Sequence, residues 1–87
     1  MLALNQAIRL KPSSVSFSNR ALIQLHLGLP AQAREDIGLA LSINHLNFAA
    51  YLNLSSIDAR QGDLSSAIEN LTCAISTLKL IHGRRAK

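Results

Sequence analysis

Few side chains in this sequence are able to do chemistry, and their spacing narrows what that chemistry is. His26, His45 and His82 lie 19 and 37 residues apart, unlike the closely spaced ligand pairs of a metal site, and Cys73 has no second cysteine to complete one. Nothing is placed to act as a base for Cys73, so it reads as a small packed residue and not as a nucleophile. Gly28, Gly38, Gly62 and Gly83 are too scattered for a phosphate-binding loop. The sequence therefore predicts no catalysis, no metal and no cofactor. What remains is a pair of asparagines, Asn19 and Asn53, 34 residues apart. An asparagine amide both donates and accepts, so it is able to grip a peptide backbone whatever that peptide's sequence, or to bond a neighbouring helix.

The same interval organises the whole chain. Gly28 recurs as Gly62, Ala33 as Ala67 and Ala40 as Ala74, and the apolar positions Phe17, Ile23, Ile37 and Leu41 recur as Tyr51, Ile57, Leu71 and Ile75, all at a shift of 34. Residues 4–10 match 37–43 at a shift of 33. The layout is a half repeat (1–13), two full repeats (14–47 and 48–81) forming one domain over 1–81, and a basic tail (82–87). Apolar residues recur three and four apart with glycine or proline at the breaks, so each repeat reads as a pair of helices. Helices are expected over about 2–11, 14–27, 30–43, 47–60 and 64–80. Ser13 or Ser14, Asn47 and Asp63 are the expected N-caps, Gly28 and Gly62 the expected helix stops, and Pro30 a first-turn residue.

Phe17, Ala21, Gly28, Ala33, Ile37 and Ala40 in one repeat, and Tyr51, Ser55, Gly62, Ala67, Leu71 and Ala74 in the next, together resemble the tetratricopeptide repeat. Leu4, Ala7 and Pro12 fit the half repeat. The pattern departs at His45 and Lys79, where a closing proline would fall, and at Gln24 and Asp58, which are expected to reduce packing. The resemblance implies an all-α fold of five antiparallel helices stacked in a right-handed superhelix. It also implies a non-catalytic protein-protein interaction scaffold that holds a peptide or partner helix in a concave groove lined by the first helix of each repeat. The groove residues it implies are Asn19, Leu22 and His26 from one repeat and Leu52, Asn53, Ser56 and Arg60 from the next. Ser18 and Leu22 stand where chaperone-tail receptors of the family carry a Lys and Asn clamp, which disfavours that partner.

Composition agrees with a packed helical module. Of 87 residues 48% are apolar and 16% charged, which excludes a disordered tail, and Phe17, Phe48 and Tyr51 are the only aromatics, expected in the core with the Leu and Ile positions. Residues 1–78 carry five cations and five anions, so the formal +4 sits entirely in Lys79, Arg84, Arg85 and Lys87. That tail offers a second function class, binding of RNA or an anionic surface, but a neutral body supplies few phosphate contacts and a solvated end accounts for the run. No signal-peptide pattern or membrane span appears, so a cytoplasmic protein is the expectation. Leu4 and Ala7 at one end and Leu78, Leu80 and Ile81 at the other lack covering helices, which implies further repeats or self-association through open ends.

Overall fold

Serine, asparagine, proline and glycine stand where the helices begin and end. The structure is a computed structural model describing the backbone of residues 1–85 and the side chains of residues 1–83. Those residues form α1 (Leu2–Leu10), α2 (Ser14–His26), α3 (Pro30–Ile43), α4 (Phe48–Arg60) and α5 (Leu64–Arg85), with no strand. The amides of Ser16, Ala50 and Ser66 donate to Ser13 Oγ (3.1 Å), Asn47 Oδ1 (3.2 Å) and Asp63 Oδ1 (3.1 Å), so each of these three side chains satisfies an orphan donor at the start of α2, α4 or α5. Pro30 opens α3, where its missing N–H is not needed. Gly28 and Gly62 take φ of +75° and +81°, the left-handed region that favours glycine. Beyond them the Leu29 and Asp63 amides reach back to the Gln24 and Asp58 carbonyls at 2.8 and 2.9 Å, which closes both helices in the same way.

Helices that follow one another pack together, and α2 also touches α4. Ile8, Phe17, Leu25, Ile37 and Ile57 form one apolar cluster around Ala21, Ala33, Ala40 and Ala50, alanines with no exposed surface. Their small side chains bring backbones within reach of hydroxyls across the hairpins. Ser14 Oγ donates to the Ala40 carbonyl at 2.7 Å and Ser55 Oγ to the Ala67 carbonyl at 2.8 Å.

Two buried carboxylates join the layers. Asp36 of α3 receives both Nε (2.6 Å) and Nη2 (2.8 Å) of Arg20 from α2, a bidentate pair that also holds the Arg20 guanidinium more firmly protonated than usual. Arg20 further donates to Asn5 Oδ1 of α1 at 3.3 Å and lies 5.6 Å from the Phe17 ring centre. Asp58 of α4 receives Arg34 Nη2 of α3 and Asn70 Nδ2 of α5, both at 2.7 Å, and so ties three helices. Asp58 and its equivalent Gln24 are buried; these positions, expected to loosen packing, are part of the packed interior.

Other expectations need correcting. α5 runs five residues past the expected end at Leu80 and takes in part of the segment read as a separate tail, while the side chains of Arg84, Arg85 and Lys87 lie outside the described residues. α1 stops at Leu10, α2 at His26, and Asn47 is the cap and not the first residue of α4. Phe48 is exposed and Tyr51 half-buried, because they sit in the first turn of α4 at the margin of the cluster. Leu71, Cys73 and Ile75 are exposed, since α5 meets α4 on one side and nothing described on another. Among the described residues no helix is long and apolar enough to cross a membrane.

Two outcomes follow from this packing. Ile57, fully buried, loses about 3 kcal/mol of stability on substitution by alanine, whereas Phe48→Ala loses less than about 1 kcal/mol; urea unfolding followed by circular dichroism compares them. The Ser66 amide, and secondarily its hydroxyl, hold the Asp63 carboxyl below the usual aspartate range. With its folded value depressed, the charged cap contributes fully above the unfolded aspartate value and is lost as pH falls through the lower folded one. An NMR titration of the Asp63 side chain should show a midpoint below that of an unfolded aspartate, and Ser66→Pro, which removes the amide donor, should bring it back up.

Candidate functional site

The residues expected to line a groove come from α2 and α4, two helices of 13 residues that start 34 residues apart and lie against each other. On this shared face Val15, Leu22 and Leu52 expose apolar surface, and Asn19, His26 and Ser56 stand in solvent beside them. The face is therefore an apolar strip edged by hydrogen-bonding groups. Its described cations are His26 and Arg60, each in the last turn of its helix, where positive charge suits the helix dipole.

Asn19 and Asn53, equivalent in sequence, differ in what they touch. Half-buried Asn53 donates through Nδ2 to the Ser18 carbonyl of α2 at 3.2 Å. Arg60 does the same one helix end away, with Nη1 donating to the Leu25 carbonyl at 3.2 Å. Both donors reach back 35 residues, so together they hold α4 in register along α2. Asn19 is exposed and makes no side-chain hydrogen bond with any described residue, because no first helix lies on the far side of α2 to receive it. Its amide faces outward with both donors and its acceptor available.

A cap proves to be part of this site's support. Asn47 Nδ2 donates to Ser14 Oγ at 2.8 Å and, at 3.3 Å each, to the Ser14 carbonyl and Ser18 Oγ, which knots the start of α4 to the start of α2. Sequence reasoning assigned Asn47 only its capping role. The available signal was its alignment with Ser13: an amide in place of a hydroxyl keeps the acceptor that caps the helix and adds a donor to spare. At the opposite end of the face, Leu25, Gly28, Pro30, Ile57, Arg60 and Gln61 line a cleft of about 250 Å³. No cluster of histidine, cysteine and carboxylate able to hold a metal occurs among the described residues. The arrangement suits binding by backbone hydrogen bonds and apolar contact, with Asn19, Leu22, His26, Leu52 and Ser56 presented outward and Asn53 and Arg60 engaged in the support.

That division predicts different costs for equivalent substitutions. Asn53→Ala removes an interhelical bond and lowers stability by about 1 kcal/mol, while Asn19→Ala changes it by less than about 0.5 kcal/mol; chemical denaturation of the two single variants distinguishes them. In comparisons with known proteins, no family model, curated protein or solved structure matches this chain.

Proposed function

We propose that this chain is a tetratricopeptide-like, non-catalytic scaffold that holds an extended peptide or a partner helix on the face shared by α2 and α4. The observation that carries this reading is the outward-facing Asn19 amide beside the exposed Leu22 and Leu52, on two helices locked in register by Asn53 and Arg60. A bound segment lies across the two helices. Its main chain exchanges hydrogen bonds with Asn19, its apolar side chains cover Val15, Leu22 and Leu52, and His26 with Arg60 favours acidic groups at one end. Because the face is fixed by interhelical bonds, little ordering is needed when the ligand arrives.

The test avoids Asn53, whose loss also acts on stability. Quantitative pull-down of proteins retained by the wild-type chain is compared with that by Asn19→Ala combined with Leu22→Ser, two changes at exposed positions that leave the helical circular dichroism signal intact. Partners that use the face should be lost by about tenfold or more in affinity. Retention at wild-type affinity would exclude this face.

A further inference from the structure

The outer side of α5 carries an apolar seam that the face of α2 and α4 does not use. Leu64, Ile68, Leu71, Ile75 and Leu78 follow one another at alternating intervals of four and three residues and are between 37% and 65% exposed. That interval is the repeat with which two helices pack side by side. The seam lies about 100° around the helix from Ala67, Ala74 and Thr77, the side buried in the domain. It is therefore distinct from the surface that holds α5 to α4.

We propose that this seam pairs with the same seam of a second copy, the two α5 helices running antiparallel about a two-fold axis at Leu71. Three features select that occupant. First, antiparallel pairing sets like against like, with Leu64 level with Leu78, Ile68 beside Ile75 and Leu71 on itself, so each layer matches in volume. Second, it brings Lys79, exposed at the edge of the seam, level with Asp63 of the other copy at the start of α5, whereas parallel pairing puts Lys79 beside Lys79 and His82 beside His82. Third, the five side chains leave roughly 500 Å² exposed per copy, so their closure removes about 1,000 Å² in total, the size at which a specific interface begins.

The chain already contains one closure of this kind. Positions 37 and 41 of α3 correspond to 71 and 75 of α5, and there Ile37 is buried and Leu41 half-buried beneath α4, which runs antiparallel to α3. On α5 the same positions are open. Pairing of identical seams closes after two copies, unlike end-to-end stacking, which continues into fibres.

Sedimentation velocity across a concentration series tests the pairing. The wild-type chain should shift from monomer to dimer, and Leu71→Glu or Ile75→Lys, at exposed positions, should weaken the dimer at least about 100-fold with helical content unchanged. Leu52→Glu, on the other face, should leave it intact. Orientation is read by disulfide formation on a Cys73→Ser background: Leu71→Cys should link two copies, and Leu78→Cys, distant from its own copy in the antiparallel pair, should not. A monomer at every concentration, a dimer indifferent to both seam variants, or linkage through Leu78→Cys as ready as through Leu71→Cys would overturn the proposal.

Discussion

The closeness of neighbouring helices is the quantity on which this molecule depends, and alanine sets it. Ala21, Ala33, Ala40 and Ala50 have no exposed surface at all; a longer side chain at any of them would push two backbones apart. At this separation a serine hydroxyl spans from one helix to the carbonyl of the next, as Ser14 does to Ala40 and Ser55 to Ala67. The large apolar residues fill what space is left, chiefly Phe17, Leu25, Ile37 and Ile57. The polar bonds are thus a consequence of the alanine spacing as much as a support for it.

Once the helices are that close, polar side chains fix how they slide and turn against each other. Apolar packing tolerates small shifts in register, but a bidentate pair such as Arg20 with Asp36 does not. Asp58 is more demanding, because Arg34 and Asn70 come to it from different helices and both bonds fail if either helix moves. Asn47, Asn53 and Arg60 complete the set along the contact of α4 with α2. The solvent-facing strip beside them inherits its shape from these bonds, so its ligand-binding character and its architecture have one origin.

Local chemistry was legible in the sequence wherever a single residue type has few conformational uses. Gly28 and Gly62 at positive φ, Pro30 in a first turn, and Ser13, Asn47 and Asp63 as caps are cases where the backbone requirement and the residue point to each other. The 34-residue interval likewise placed the start of four helices to within a residue. What escaped it depends on neighbours that spacing alone does not supply. Phe48 and Cys73 have the composition of core residues but stand where no helix covers them. Asn19 and Asn53 are indistinguishable in type and interval, yet only Asn53 has a carbonyl within reach. Asp58 read as an interruption of an apolar pattern because its two partners are 24 and 12 residues away on other helices.

The pattern of helix contacts has a consequence for how the chain reaches this structure. Every helix touches only those one or two places along the sequence, so no contact has to wait for a long loop to close. Chains of such low contact order fold in roughly microseconds to milliseconds, whereas synthesis adds only about 5–20 residues per second. The hairpin of α2 and α3 can therefore form and seal its alanine contacts well before α5 has been made. Each later helix arrives at a surface that is already built, and the exposed apolar side of every intermediate is covered by the next piece of chain to emerge.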